Sequence, residues 1–446
     1  MDSLEQNVLA AIDMDGLLSF LSELIAIPSV TGEEKEAQES VAAHMRTLGL
    51  EVDVWQMDLA ALRQHPFYSA EVERTEALGV VGALGGGPGP TLIFNGHVDV
   101  VPIGQPSLWS YPPWRATLAG GRVYGRGAVD MKGGLCCALY AAKALRDANV
   151  PLAGRLLIQS VVGEEDGGVG TLGTILRGYR ADGAIVLEPT ELIVAPAQAG
   201  ALNYRITIPG KVAHGAMRTE GVSAVDKFLL IYQALRAFEQ SRTRRFQDPL
   251  FADYELPYPI TVGILEAGEW ASNVPDRLVC AGRYGVAVGE DVAAARQAFE
   301  EMVRLTAAGD PWLRDHPPIV EWWGGQFQPA AIPADHPLTT TLSRAFTDVS
   351  GAPATVRGMP YGADMRLLIN QGGTPTVLFG PGDVRVAHRP DEFIAVDDLH
   401  TATKTLALTA LRFCGLGGDL AEAADGAQPA GQPALAGLDF TDLEEE

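Results

Sequence analysis

Apolar residues recur at helical spacing from Asp15 to Ala26, with Leu17, Leu18, Leu21, Leu24 and Ile25 on one side, and the run stops before Pro28. Thr31 followed by Glu34 reads as a capping box that opens a second helix, with Val41, Met45 and Leu48 as its apolar face. The pattern then shortens. Residues 50–56, 79–84 and 91–95 are brief runs rich in Val, Leu and Ile, bounded by Gly or Pro, as strands between turns are. A helix is predicted over 133–148, after GRGAVDMK. RLLIQSVV (155–162) and GAIVLE (183–188) are almost wholly apolar, as strands covered on both faces should be, with a helix at 170–178 between them. This alternation is that of an α/β fold.

Around Ala199 the pattern changes to strand 201–208, helix 222–239, strands 260–266 and 277–284, helix 290–307 and strand 318–323. That order, βαββαβ, is a complete ferredoxin-like unit. Helix 336–350 and strand TVLF (376–379) return to the first pattern. The predicted architecture is a larger α/β domain, 1–198 and 327–414, with a largely parallel central sheet, into which a smaller domain, 199–326, is inserted. Residues 415–446 carry eight acidic side chains and no basic one among many Gly, Ala, Pro and Gln, the composition of a disordered, solvating tail.

Composition narrows the function classes. With 446 residues, 47% hydrophobic and 20% charged, the chain is long enough for two cores. Its net charge of -23, or -15 without the eight acids of the tail, argues against nucleic acid or an anionic membrane surface as partner. No apolar run approaches the roughly 18 residues of a membrane span, and no basic segment precedes an apolar one at the N-terminus, so neither a span nor an export signal is expected. Four cysteines without a CxxC pair point to a reducing cytoplasm. Cys136 and Cys137 are expected to pack inside a helix, GALGGGPGP (82–90) to form a turn, and Trp322 and Trp323 to pack the last strand of the insert.

The chemistry gathers just after the predicted central strands. TLIFNGHVDVVP supplies His97 and Asp99, QSVVGEEDGGVG supplies Glu164 and Glu165, AIVLEPT supplies Glu188, and TVLFGPG leads to AHRPDEF with His388; Asp130 lies in the turn GRGAVDMKGG. Sites in open α/β sheets form beyond the carboxyl ends of strands, so these side chains are placed to converge. Singly, each has a bland reading: a surface histidine, a helix N-cap at Asp130, solvated loop charges. Together, two imidazoles with several carboxylates and no thiolate suit zinc, with manganese or cobalt as substitutes. Gly96 permits close approach, and Asp99 is placed to accept the second N–H of the His97 ring.

GHVDVVP, GRGAVDMKGG, GEEDGGVGT, LEPT and GPGDVRVAHRPDEF, in this order, resemble the co-catalytic zinc family of acetylornithine deacetylase, succinyl-diaminopimelate desuccinylase, aminoacylases and glutamate-releasing carboxypeptidases. The resemblance covers residues 15–414 and implies a zinc-peptidase-like catalytic domain with 199–326 as lid and dimerisation domain. It further implies that His97, Asp130 and Glu188 hold one zinc while Asp130, Glu165 and His388 hold the other. Glu188 stands where some members use Asp. Glu164 matches the general base. His214, in GKVAHGAMRTEG, matches a histidine given across a homodimer interface to the reacting oxyanion. Asn273 and Arg283 match substrate contacts, and Asp364 and Arg366 fall in a substrate-lining loop. The implied activity is hydrolysis of the amide of a small N-acylated amino acid or amine, most like acetylornithine deacetylase. Desuccinylation, deformylation of an aminopyrimidine, and carboxypeptidase or dipeptidase action are the alternatives, and a metal-binding protein without turnover is the alternative of another class. Without its metals the carboxylate cluster is expected to titrate as a coupled group with some pKa values raised.

Overall fold

The computed structural model describes residues 1–417. In chain order its main strands are β1 (Glu51–Gln56), β2 (Leu78–Gly85), β3 (Thr91–His97), β4 (Arg155–Val161), β5 (Gly183–Val186), β6 (Gly200–Pro209), β7 (Ile264–Ala267), β8 (Arg277–Val286), β9 (Ile319–Phe327) and β10 (Thr376–Leu378). One mixed, mostly parallel sheet has the order β1-β2-β4-β3-β5-β10, and a separate antiparallel sheet has the order β7-β8-β6-β9. In the first, β4, β3, β5 and β10 run parallel while β2 is antiparallel to both neighbours. The register pairs His97 with Val161, Asn95 with Val186, and Val186 with Leu378, so four strands end at one edge.

Burial explains the change of pattern at Ala199. In β3 every residue from Leu92 to His97 is buried, because helices Gly133–Asp147 and Val396–Cys414 are among the elements that cover the sheet. In β6, Leu202, Tyr204, Ile206 and Ile208 are buried while Asn203, Arg205 and Thr207 are partly exposed, the alternation of a sheet covered on one side. There the helices Ala224–Arg245 and Val292–Ala308 supply Ile231, Leu235, Phe299 and Val303 to a second core, distinct from the one around β3. Trp322 packs against Phe299 with ring centroids 5.4 Å apart, as expected of the last strand. All four cysteines are buried and free. No helix of the described residues is long and apolar enough to cross a membrane.

Two expectations are corrected. The Thr31–Glu34 capping box does not form: the helix begins at Lys35, Glu34 at its N-cap makes no side-chain cap, and the Glu34 carboxylate instead accepts from Gly32 N at 2.7 Å and pairs with Arg74 at 2.9 Å. A capping box does close the unpredicted helix Ser3–Ala10, between Asp2 and Glu5. At Glu34 the fully buried Arg74 guanidinium takes the carboxylate, whereas Glu5 keeps its cap through Oε2 while Oε1 pairs with Arg412. Last, residues 415–417 are not part of a free tail, since the Gly415 carbonyl accepts from Ala153 N and Gly417 N donates to the Pro151 carbonyl. The rest of the expected acidic tail lies outside the described residues.

Candidate metal centre

The loops leaving β3, β4, β5 and β10 meet above the sheet edge. His97, at the end of β3, is 1% exposed. Its Nδ1 lies 2.9 Å from the backbone carbonyl of Asp99, leaving Nε2 facing Asp130 Oδ1 at 3.1 Å and Glu188 Oε1 at 4.0 Å. The Asp99 carboxylate is 3.7 Å from Nδ1 and does another job. It accepts from Glu164 N at 3.2 Å and Glu165 N at 3.1 Å. The expectation that it would hold the imidazole is therefore corrected: the backbone carbonyl holds the ring, and the carboxylate fixes the loop that carries both glutamates.

Asp130 is not a helix cap, since the N-cap of the following helix is Lys132. Its loop is tied by Glu392, which accepts from Val129 N and Asp130 N at 3.0 and 3.3 Å and pairs with Arg126 at 2.5 Å. Asp130 Oδ2 meets His388 Nε2 at 3.1 Å, and His388 Nε2 lies 3.1 Å from Glu165 Oε2. His388 has a φ of 61°, in the left-handed region that bulky residues rarely adopt. Asp130 thus stands between the two imidazoles, with one oxygen toward each.

The charges do not balance. Burial, then the charges of Glu188 and Asp364, push Glu164 well above the ordinary carboxylate range. Burial and the neighbouring Asp130 do the same to Glu188, and raise Glu165. For His97 burial acts downward, but the bond to Asp130 and the charges of Asp99 and Glu188 win and raise it well above its usual value. His388 follows the same rule and is pushed up to about 11. Asp130 is held down by the two imidazoles against its burial. Protons here occupy the role of cations. Ligand atoms of His97, Asp130 and Glu165, and of His97, Glu164 and Glu188, lie within 4.8 Å of one another, and Glu188 Oε1 is buried with no hydrogen-bond partner. Imidazole and carboxylate donors with an unpaired buried oxygen fit divalent ions of the zinc, cobalt or manganese class.

Comparison with known proteins agrees with this geometry. Peptidase family M20/M25/M40 matches residues 93–412. The chain belongs to that family. M20 proteins are dinuclear metal hydrolases, and the chain is accordingly an M20 metallohydrolase with a cluster suited to two metals. Over 437 residues it is 29% identical to the N-formyl-4-amino-5-aminomethyl-2-methylpyrimidine deformylase of Halalkalibacterium halodurans, covering 93% of this chain and 98% of the relative. It is 30% identical to the acetylornithine deacetylase of Myxococcus xanthus over 367 residues, 80% of this chain and 88% of the relative. The fold matches the di-peptidase Dug1p of Saccharomyces cerevisiae with a TM-score of 0.72 at 15% identity, over 92% of this chain and 98% of that one.

The other predicted residues of this M20 chain fall in two places. Asp364 and Arg366 are buried behind the 163–168 loop, where Arg366 Nη2 donates to the Gly167 carbonyl at 2.9 Å. Arg283 is half-buried on an inner strand, donates to the Pro360 carbonyl at 2.8 Å, and is lowered to about 10 by burial. His214 and Asn273 pair with each other in a short ladder, both exposed, and among the described residues neither bonds to the metal-ligand cluster. Sequence reading passed over Tyr361, whose hydroxyl donates to the Pro189 carbonyl at 3.3 Å and whose pKa is raised by burial and by Glu188 and Asp130. It stands in YGAD, three residues before Asp364, and that proximity was the available signal. Arg74, paired at 2.9 Å with Asp166 of the same loop, gave none, because it sits in a stretch with no regular period.

Proposed function

We propose that this M20 protein hydrolyses the linear amide of a small N-acylated amine or amino acid, with Glu164 as general base. One observation carries the reading: Glu164 is a buried carboxylate beside the ligand cluster whose side chain has no hydrogen bond or ion pair among the described residues. A group of this kind accepts a proton from the attacking water at its carboxylate and returns it to the leaving nitrogen. Two divalent ions, zinc by donor type with cobalt or manganese as substitutes, would be held by His97, Asp130 and Glu188 and by Asp130, Glu165 and His388, and would supply Lewis-acid polarisation and acidified water. Asp99 keeps Glu164 and Glu165 in place from below, and the Asp99 carbonyl orients His97.

Both acetyl and formyl groups are small enough to be removed by the same chemistry. The near full-length likeness to a deformylase favours placing N-formyl amines beside N-acetyl amino acids at the head of the substrate list. Protein stripped of metal and reloaded with Zn²⁺ or Co²⁺ should hydrolyse one class in a panel of N-formyl, N-acetyl and N-succinyl compounds and dipeptides; turnover of none by the loaded protein would overturn the reading.

The same proposal assigns 1–198 with 327–414 to catalysis and 199–326 to a lid through which a homodimer forms. Edge strand β7 supports this, since its four residues are exposed and Ile264 and Leu265 are over half accessible, with Trp270 nearby at 71%. His214, exposed and with no hydrogen bond to its own chain's cluster among the described residues, then serves the partner's oxyanion, while Asn273 contacts substrate and Arg283 grips a substrate carboxylate. Sedimentation should show a dimer; a fully active monomer would sink the role of His214.

A further inference from the structure

Between the catalytic loop and the inserted sheet runs a segment, Ser69–Arg74, that touches both. On one side, the backbone N–H groups of Glu71 and Val72 donate to Asp166 Oδ2 at 3.3 and 3.0 Å, and Arg74 Nη1 reaches the same oxygen at 2.9 Å. Asp166 follows Glu164 and Glu165 directly. The fit is close, because a Cβ on Gly167 would stand 1.9 Å from the Ser69 carbonyl oxygen. On the other side, Glu71 Oε1 accepts from Asn203 Nδ2 of β6 at 2.5 Å and from Gly325 N of β9 at 3.0 Å.

The receiving surface is shaped for it. The β9 to β6 register shifts between Trp322 and Gln326, and Gly324 lies in that shift with a φ of 59°. A Cβ at Gly324 would lie 2.6 Å from Glu71 Cγ, so only a residue without a side chain leaves room for the glutamate. Ser69 repeats the arrangement more weakly, its Oγ accepting from Gln326 N at 3.4 Å.

Glu71 therefore has its backbone on the loop of the proposed base and its side chain on the inserted unit. We infer that Glu71 is a positioning residue that couples the placement of the inserted unit, through Asp166, to the geometry of Glu164 and Glu165. Its hydrogen bonds go to Asp166, Asn203 and Gly325 and to none of the proposed metal ligands. The coupling rests on the reading of Glu164 as base only for its effect on rate; the mechanical link stands on the hydrogen bonds alone.

Full-length, metal-loaded protein carrying Glu71→Ala tests this. Glu71 is exposed, so the variant should fold and keep its metal content. Amide hydrogen exchange should accelerate both at 325–326 and at 163–168, and kcat on whichever panel compound turns over should fall about tenfold with little change in KM. Glu71→Gln keeps the acceptor oxygen and should recover kcat to within about twofold. Asn203→Ala should mimic the loss, and the double variant should be no worse than either single one. Faster exchange confined to 325–326, or additive losses in the cycle, would overturn the coupling. If the wild-type protein turns over nothing, the proposed function fails while the exchange measurement still decides the link.

Discussion

Two buried polar clusters lie on opposite sides of the Glu164–Asp166 turn, and they differ in one respect. Beneath it, Arg74 is fully buried between Glu34 and Asp166 and carries its own positive charge to them. Above it, Asp130, Glu164, Glu165 and Glu188 surround two imidazoles, which carry a positive charge only when protonated. The lower cluster has a permanent cation, although burial raises Glu34 there too and Asp166 Oδ1 has no hydrogen-bond partner. The ligand-type residues of the upper one include no permanent cation, only imidazoles that are raised together with Glu164, Glu165 and Glu188. Buried acids alone do not mark a metal site; buried acids without a fixed cation do.

The strongest way to break the comparison is to change the two adjacent glutamates. Glu164→Gln should keep metal content and lower kcat by about 10²-fold to 10⁴-fold, whereas Glu165→Ala should lower metal content itself, measured by elemental analysis. Equal metal loss from both would erase the division between them. Arg74→Met should destabilise by about 3–5 kcal/mol in denaturant unfolding, because Glu34 and Asp166 are left buried without their cation. Added Zn²⁺ should not rescue it if the lower cluster is purely an ion triad.

Metal removal sharpens the contrast through pH. In the stripped protein His388 is raised from 6.5 to about 11, so its protonated form favours the folded state, a contribution present in full below about pH 6.5 and lost as pH rises toward 11. Glu164 and Glu188, raised from 4.5, act with the same sign from a lower starting pH. Thermal midpoints of chelated protein should therefore fall across this window, while those of loaded protein change less; parallel curves would mean that protons do not stand in for the ions. The smallest effect belongs to Thr31→Ala. It should cost under about 0.5 kcal/mol, since its hydroxyl is 3.4 Å from Asp99 Oδ2 and caps nothing, where a capping threonine would cost about 1 kcal/mol.

Much of this molecule was legible in its residues. Mostly apolar runs at 155–161 and 183–186, with Gln159 and Ser160 the buried polar exceptions, against the alternation of β6 announced two kinds of sheet, because a strand covered on both faces favours apolar residues at successive positions. The ligand types were legible too, since each of His97, Glu164, Glu165 and Glu188 follows an apolar strand within a few residues. Their convergence needs only that parallel strands end at one edge.

What the tertiary structure decided is pairing between positions far apart in the chain. Local spacing offered Glu34 to its own helix, and Arg74, 40 residues on, took it. Spacing offered the Asp99 carboxylate to His97, and two backbone N–H groups of the loop 65 and 66 residues away took it instead. In each case a buried charge went to the donors that folding left without water, a choice fixed by burial and by which loops meet. Local sequence determined element type, donor chemistry and the strand ends that carry it; the assembled core determined which donor each carboxylate serves, because the cost of an unpaired buried charge exceeds the gain from any local cap.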